Sequence, residues 1–358
     1  MNKHQRFILV LFFVSLVFFV FTKILPFEDK NQQKAKMIEA SENMKKAMSA
    51  LSLCAAEKIQ FIDKNIDINR TGFIGIEDSS ITTTLGNLES KRTTTNPNIG
   101  ALIVYLLHKA GVKEGDAVAV GASGSFPAMI VAMMSAAKAM NINPIIICSL
   151  GASQWGANRP DFHLLNMLDC LSSAGVFSFQ PAAISLGGER DIGEGMPDEA
   201  RELLIRDIMD SGILFIQEED LPSNVQIKMQ IYEKHAGKNG IKGFVNIGGS
   251  WSNIGTSSKI LDLKPGLVKT GEIPPVENRG LVFEMANQKI PVVHLLYIKG
   301  LVESYGLPWD PAPLPEIGKG RVYLKGVQDS PLFLIFSAVY LCVMVVLLLW
   351  FKITKKII

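Results

Sequence analysis

The sequence predicts an α/β fold: a doubly wound, mostly parallel sheet flanked by N- and C-terminal transmembrane helices. Two observations predict it. Short apolar strands alternate with helical patterns through the middle of the 358-residue chain, and a long apolar run lies near each end. With 48% hydrophobic residues, the chain is too apolar for a disordered protein.

The charged residues are unevenly distributed. The formal net charge is +2, but every acidic residue lies between Glu28 and Asp329, where the net charge is −4, and both tails carry only basic residues. Nucleic-acid binding is therefore not predicted, because it depends on a basic surface that neutralises phosphates.

The first apolar run predicts a transmembrane helix over residues 7–27. Phe7–Phe21 has Ser15 as its one polar residue, and about 20 apolar residues cross a bilayer. No small-residue cleavage site follows, which favours an uncleaved anchor over a signal peptide. A second span is predicted over residues 331–351, with Trp350 at its edge and basic residues after it.

Two spans place both termini on the same side of the lipid bilayer. Lys3 and Arg6 precede the first span, which favours cytoplasmic termini and an extracytoplasmic central domain. Lys30, Lys34 and Lys36 follow the span and weaken the charge argument, so a cytosolic domain is the alternative.

Residues 28–65 predict a helical stalk that rises from the membrane. The segment lacks Gly and Pro, and apolar residues recur at helical spacing from Ala40 to Leu51. An α/β domain is predicted over residues 66–330. Its first part, Thr71–Pro97, is rich in Gly, Ser and Thr without clean alternation, so we expect it to be irregular and exposed.

The rest of the domain alternates strands with helices, as expected for a parallel sheet. The predicted strands are Asp116–Gly121, Pro144–Leu150, Ala182–Leu186, Ile213–Gln217, Gly243–Ile247 and Pro291–Ile298. The predicted helices are Pro127–Met140, Asp161–Ser172, Pro197–Ser211 and Pro222–His235.

Four strands end in clusters of small residues. These clusters are Gly121–Ser125, Gly151–Ser153, Gly187–Gly188 and Gly248–Ser250. The carboxyl ends of parallel strands line one crevice, so the clusters predict a single ligand site with exposed backbone N–H groups and hydroxyls. Ordinary turn and capping chemistry is the alternative explanation.

Two of the clusters also place an indole and a side-chain amide just past the strand, which suits a polar organic ligand. The residues assigned to ligand binding are Gly121, Ser123, Gly124, Ser125, Ser153, Trp155, Asn158, Arg159, Arg190, Glu194, Ser250, Trp251 and Asn253.

Ser123 and Ser125 are the candidate nucleophiles, and His163 is the candidate base if it comes within reach of them. A structural role for His163 is favoured, and His294 is predicted to be a hydrogen-bonded core histidine. The segment is not a nucleophile elbow, because Ser stands where G-x-S-x-G requires its second Gly. No Cys/His cluster has metal-ligand spacing, so neither a metal nor a cofactor is predicted.

Charged residues near the strand ends weakly support a ligand site when they are taken together. Glu194 lies in an acidic loop that offers acid/base chemistry, although such loops are more commonly solvated surface. The basic groups placed to meet an anion are Lys91, Arg92, Arg159 and Arg190.

The soluble part contains an odd number of cysteines, Cys54, Cys148 and Cys170, so no complete disulfide framework is predicted. A single disulfide between Cys148 and Cys170 is the alternative.

Four unusual strings carry a resemblance to a known family. They are ITTTLGNLESKR at 81–92, VAVGASGSFP at 118–127, SLGASQWGAN at 149–158 and NIGGSWS at 246–252. On these strings the chain resembles the poly-γ-glutamate system proteins, and the resemblance covers nearly the whole chain, including both spans.

The resemblance implies a bacterial cell-membrane protein that takes part in the synthesis, export or surface handling of the anionic glutamate polymer, with the synthesis proteins as partners. The resemblance does not identify catalytic residues in this chain. The leading hypothesis is thus an accessory protein that binds polymer or partner proteins in the strand-end crevice. The alternatives are an extracytoplasmic serine hydrolase or transferase acting on the polymer, and a phosphosugar-isomerase-like binding domain.

Overall fold

The computed structural model describes residues 3–24, 30–59, 63–269, 271–324 and 331–356. Parts of three predicted segments lie outside the described residues: 25–27 of the first span, 28–29 and 60–62 of the stalk, and 270 and 325–330 of the domain. The chain divides into two compact units. One combines residues 1–34 with 323–358, and the other spans 35–322.

The elements follow each other in chain order with helices and strands interleaved. The helices are α1 (Lys3–Ile24), α2 (Lys30–Lys58), α3 (Leu88–Thr94), α4 (Asn98–Lys109), α5 (Pro127–Met140), α6 (Leu164–Ser173), α7 (Asp198–Ser211), α8 (Leu221–Ala236), α9 (Trp251–Ile254), α10 (Leu281–Asn287), α11 (Ile298–Tyr305) and α12 (Pro331–Lys356). The strands are β1 (Ala117–Ser123), β2 (Asn143–Ser149), β3 (Asn158–Arg159), β4 (Phe162–His163), β5 (Ala183–Ser185), β6 (Ile241–Ile247), β7 (Gly266–Leu267) and β8 (Val292–His294).

The first unit contains α1 and α12, each with a stretch long and apolar enough to cross a membrane. Phe7 near the start of α1 stacks on Phe351 near the end of α12, with 3.9 Å between ring centroids. Further along, Phe18 stacks on Tyr340 at 4.2 Å. The two helices therefore run antiparallel.

The second unit is built on a six-stranded sheet in the order β5-β2-β1-β6-β8-β7. All neighbours pair in parallel except β7, which is antiparallel to β8. β1 lies between β2 and β6 and is buried along its whole length. These observations confirm the predicted α/β class and the mostly parallel sheet.

Helices cover both faces of this sheet. On one face, α8 and α10 form a core cluster with alternate strand residues such as Ala119, Ile147 and Phe244. The intervening residues Val118 and Ile146 are fully buried on the opposite face, where α5 packs on β2 and α4 packs on α5. This double cover explains why the strands are apolar runs without polar alternation.

Several predicted elements differ from those observed. The predicted strand Ile213–Gln217 is reduced to one parallel bridge between Ile184 and Phe215. The edge strand β7 and the pair β3 and β4 were not predicted, because two-residue strands carry no periodic pattern. The prediction for Pro127–Met140 matches α5 residue for residue.

The segment Thr71–Pro97 is irregular, as predicted, but the prediction that it is exposed is wrong. Phe73 and Ile81 are buried, and α3 lies within the segment. Asn158 accounts for part of this burial, because its side-chain amide bonds both the N–H and the C=O of Ile76. Tertiary contacts therefore hold a stretch that lacks a regular pattern of its own.

The predicted helix in residues 28–65 is present as α2, but it does not stand free of the domain. Ala40, Met44, Ala47 and Leu51, which form its apolar stripe, are fully buried. An apolar stripe of this kind is stable when it is covered by another element.

Cys54 of α2 forms a disulfide with Cys170 of α6, with 6.1 Å between their Cα atoms. The alternative pairing of Cys148 with Cys170 is therefore wrong. Cys148 lies within the inner strand β2, where burial raises the pKa of its thiol to about 12 and keeps it protonated.

Candidate functional site

A cavity of about 860 Å³ lies where the parallel strands end. Ser123, Ser149 and His294 are the last residues of β1, β2 and β8, and all three line it. Gly188 and Gly249, which follow β5 and β6, line it as well. The strand ends that the sequence places around one crevice thus border a common cavity.

Serine hydroxyls form a connected group on one wall of this cavity. The N–H of Ser125 donates to Ser123 Oγ at 3.2 Å, and that hydroxyl donates to Ser125 Oγ at 3.1 Å. The N–H of Ser153 also donates to Ser125 Oγ, at 2.9 Å. Ser149 Oγ is buried and has no partner among the described residues. Buried hydroxyls are usually hydrogen-bonded, so this one favours a bound group in the cavity.

Lys91 is a buried cation on the cavity wall, with only 3% of its surface exposed. Its Nζ donates to the carbonyl oxygen of Ser125 at 2.6 Å and to Ser153 Oγ at 2.7 Å, and lies 3.8 Å from the centroid of the Phe126 ring. Burial lowers the pKa of Lys91 from 10.5 to about 7, because the charged form loses its hydration. A substantial fraction of Lys91 is therefore neutral at physiological pH.

His294 is buried and hydrogen-bonded, and it also borders the cavity. Asn246 Nδ2 donates to Gly248 O and approaches His294 Nδ1 at 2.9 Å, so Nδ1 acts as the acceptor. Burial lowers the pKa of His294 to about 4, and the ring is neutral with its proton on Nε2. Nε2 has no hydrogen-bond partner among the residues that the structure describes, so this N–H can donate to a ligand.

The remaining walls are largely apolar. Their side chains come from the loop after β1, from α9 and the loop that follows it, and from the stretch between β8 and the start of α11: Phe126, Ile254, Ile260, Leu263, Leu296 and Ile298. Glu189, Glu194, Trp251, Leu261 and Tyr297 line the cavity as well, together with residues 83–87 and Ser90. The cavity thus combines apolar surface with hydroxyl, imidazole and ammonium donors.

The loop that carries Glu189 and Glu194 is fixed by a buried ion pair beneath it. Asp191 Oδ2 lies 2.6 Å from Lys228 Nζ, and both side chains are almost fully buried. Ser185 donates to the other carboxylate oxygen at 2.8 Å, and Ser252 Oγ accepts from Lys228 at 2.5 Å. The network joins the loop after β5 to α8 and α9, and both the loop and α9 contribute residues to the cavity wall.

The sequence-assigned residues separate into two groups. Those that line the cavity are Ser123, Ser125, Ser153, Glu194, Ser250 and Trp251. Those that do not line it are Gly121, Gly124, Trp155, Asn158, His163, Arg159, Arg190 and Asn253.

His163 does not meet the serines and belongs to a different pocket. Its Nδ1 accepts from the N–H of Leu165 and caps α6, which leaves Nε2 to donate to Asp207 at 2.7 Å. Both nitrogens are thus engaged in structure, so the candidate role of His163 as a base for Ser123 or Ser125 is wrong.

Neither arginine lines the cavity, although Arg190 lies 3.8 Å from Glu194, which does. Arg159 pairs with Asp161 at 3.0 Å. Arg190 pairs with Glu219 at 2.7 Å and lines a neighbouring pocket of about 630 Å³. That pocket shares Trp251 with the strand-end cavity.

Close packing explains the two glycines at the end of β1. A Cβ on Gly121 would lie 2.6 Å from Asn253 Oδ1, and one on Gly124 would lie 2.6 Å from the carbonyl oxygen of Leu150. These glycines let neighbouring segments approach. Asn253 is accordingly buried against the strand and does not line the cavity.

The part of the chain that the structure describes contains no group of three or more His, Cys, Asp or Glu side chains arranged to hold a metal ion. The chain matches no family model, and no curated protein or solved structure is significantly similar to it.

The sequence identified Lys91 only as one of several basic groups and missed its pairing with Ser153. It also missed the cavity face of His294 and the hydroxyl of Ser149. Ser149 and His294 lie inside the predicted strands Pro144–Leu150 and Pro291–Ile298, so their places at the ends of β2 and β8 could not be read from the sequence.

The shifted pKa of Lys91 predicts a pH-dependent contribution to stability. Between its folded pKa of about 7 and its unfolded value of 10.5, the unfolded chain binds more protons, so stability rises with pH through this window and gains nothing below it. Relative to Lys91→Met, we expect the unaltered chain to gain about 2 to 3 kcal/mol between pH 6 and pH 9. Denaturant unfolding in detergent micelles measures the difference.

The exposed Lys234 provides a matched control, since Lys234→Met should follow the pH dependence of the unaltered chain. A constant difference between the unaltered chain and Lys91→Met across this range would contradict a neutral Lys91.

Proposed function

We propose that the chain is a two-pass membrane protein that binds a γ-linked glutamate polymer in the strand-end cavity and serves its synthesis or export with partner proteins. The observation that carries the proposal is the convergence of hydroxyl, imidazole and ammonium donors on one largely apolar cavity. The resemblance to poly-γ-glutamate system proteins favours the same ligand.

The chemistry of a γ-linked glutamate repeat suits this lining. Each repeat offers two methylene groups, an amide and one pendant carboxylate. The methylenes match the apolar walls, and the oxygens accept from Ser125, Ser250 and the Nε2–H of His294. Glu189 and Glu194 at the same cavity repel additional carboxylates. The lining therefore suits one or two repeats, such as a chain end, better than a long polyanionic stretch.

Two further observations support a membrane-anchored, extracytoplasmic domain. The antiparallel helices α1 and α12 are long and apolar enough to cross a membrane. The Cys54–Cys170 disulfide is the kind of bond that persists in oxidising compartments and is rare in the cytosol.

Binding of a short fluorescent γ-linked glutamate oligomer to the full-length chain in detergent tests the proposal. We expect Trp251→Ala to weaken binding about tenfold, which corresponds to about 1.4 kcal/mol of lost aromatic contact. Trp155→Ala is the matched control, because Trp155 lies outside the cavity. This variant should bind the oligomer with the same affinity as the unaltered chain.

An α-linked glutamate oligomer has the same charge and should bind less tightly. The proposal fails if Trp251→Ala, with an unchanged melting temperature, binds as tightly as the unaltered chain. It also fails if Trp155→Ala weakens binding equally.

A further inference from the structure

The contact between Ser153 and Lys91 has the geometry of a nucleophile and its base. Ser153 Oγ lies 2.7 Å from Lys91 Nζ, and both side chains line the cavity. Lys91 comes from α3 and Ser153 from the loop after β2, so the fold brings together groups 62 residues apart. Serine–lysine pairs are one of the recurring arrangements of nucleophilic catalysis.

The surroundings of Lys91 allow it to accept a proton from Ser153. Its other polar contact is the carbonyl oxygen of Ser125, which takes one N–H and leaves the lone pair of the neutral amine for the serine hydroxyl. The pKa of about 7 caused by burial places the neutral amine close to the pH at which a general base works best.

A donor for the developing oxyanion lies beside the pair. Ser125 Oγ already accepts from the N–H of Ser153 and from the hydroxyl of Ser123. Its own hydroxyl hydrogen is therefore available to donate into the cavity. Ser125 is also less buried than Ser123 and Ser153, which suits contact with a bound carbonyl group.

We infer that Ser153 is a catalytic nucleophile and Lys91 its general base, and that the cavity cleaves an amide or ester of its bound ligand by acyl transfer. The inference rests on the proposed function only for the identity of that ligand as the glutamate polymer. Among the described residues, Ser153 supplies the serine hydroxyl that contacts Lys91 Nζ. This assignment replaces Ser123 and Ser125 as the nucleophile.

The reaction balances with water as the co-reactant. Ser153 Oγ attacks the carbonyl carbon while its proton passes to Lys91 Nζ, and the oxyanion accepts from the Ser125 hydroxyl. Collapse of the tetrahedral intermediate breaks the C–N bond, and the leaving amine takes the proton from Lys91. Water then attacks the acyl ester while Lys91 takes a proton from it. The bond between the acyl carbon and Ser153 Oγ breaks, a carboxylic acid is released, and Lys91 returns the proton to Ser153 Oγ.

Labelling of the full-length chain in detergent with a fluorophosphonate tests the pair without requiring the polymer. We expect one labelled site, Ser153 by peptide mass spectrometry, with a rate that rises through about pH 7 and levels off above it. Ser153→Ala should abolish the label, and Lys91→Met should slow it by about 100-fold or more. The exposed Ser173 provides the control, because Ser173→Ala should be labelled like the unaltered chain.

Labelling at another serine, no labelling, or a Lys91→Met rate equal to that of the unaltered chain would overturn the inference. The pH profile is measured on the unaltered chain, so a rate that is constant from pH 5 to pH 9 overturns it even if Lys91→Met does not fold.

The glutamate oligomer separates this inference from the proposed function. Oligomer that binds and is shortened by the unaltered chain, but binds without shortening to Ser153→Ala, supports both. Oligomer that binds and is never shortened overturns the cleavage and leaves the binding function in place. Labelled Ser153 with no oligomer binding overturns the glutamate polymer as ligand and supports the catalytic pair.

Discussion

Removal of the disulfide by Cys54→Ala with Cys170→Ala should lower the free energy of unfolding by roughly 4 to 5 kcal/mol. The bond joins residues 116 positions apart, and closing so long a loop restricts the unfolded chain more than a short loop would. It also attaches α2 to α6, so without the bond only packing of the buried apolar stripe holds α2 to the domain. Denaturant unfolding in detergent, followed by tryptophan fluorescence, measures the change.

A reductant provides an independent test on the unaltered chain. It should destabilise that chain by a similar amount and leave the double variant unaffected. Cys342→Ala is the control, since Cys342 is a free, exposed cysteine in α12. Equal stability of the double variant and the unaltered chain would show that the bond contributes little.

Whether this disulfide is present in cells indicates the side of the membrane on which the domain lies. The chain has four cysteines, and two of them are in the disulfide. In acid-quenched cells, a maleimide should modify two cysteines under denaturing conditions and four after reduction. Modification of all four before reduction would favour the cytosolic alternative.

Much of the fold was predictable, because its strands and helices are visible as hydrophobic patterns among neighbouring residues. The apolar run of β1 and the Ala- and Met-rich helix Pro127–Met140 identify a βα unit from neighbouring residues alone. The strand-end serines followed from one topological rule, that parallel strands end at the same edge. These predictions needed no knowledge of which distant residues meet.

The features that were missed depend on distant contacts. Lys91 lies in a Thr-rich stretch with no apolar periodicity, and its partner Ser153 is 62 residues away. The disulfide partner of Cys170 was equally inaccessible, because three cysteines allow several pairings and only packing of α2 selects Cys54. His163 caps α6 and contacts Asp207, the structural role that was favoured for it over that of a base.

The second large effect is expected at the buried ion pair beneath the cavity. Asp191→Asn preserves the shape of the side chain but removes its charge, which leaves Lys228 buried and uncompensated. Removing one partner of a buried pair typically costs about 3 to 5 kcal/mol, because the remaining charge has lost both water and its counter-ion. Denaturant unfolding of Asp191→Asn should show a loss of this size.

The ion pair also holds a strained part of the cavity wall. Arg190 and Asp191 both have positive φ, at 53° and 64°, a conformation that L-residues adopt only when their surroundings enforce it. Once Asp191 no longer binds Lys228, this loop should relax and displace Glu194 from the cavity. Ser252 of α9 contacts both Asp191 and Lys228, so loss of the pair should also shift the neighbouring Trp251 in the cavity wall. We therefore expect Asp191→Asn to weaken binding of the γ-linked oligomer as well as stability.

Two comparisons separate the effect of charge from that of packing. Adding Lys228→Met to Asp191→Asn removes the orphaned charge, so the double variant should recover much of the stability lost in the single one. Glu219→Gln breaks the exposed pair that Arg190 makes in the same loop, and it should cost no more than about 1 kcal/mol. If Glu219→Gln lowers the stability as much as Asp191→Asn does, the buried charges contribute little beyond what an exposed pair contributes. If the double variant is no more stable than Asp191→Asn alone, the loop is held by packing.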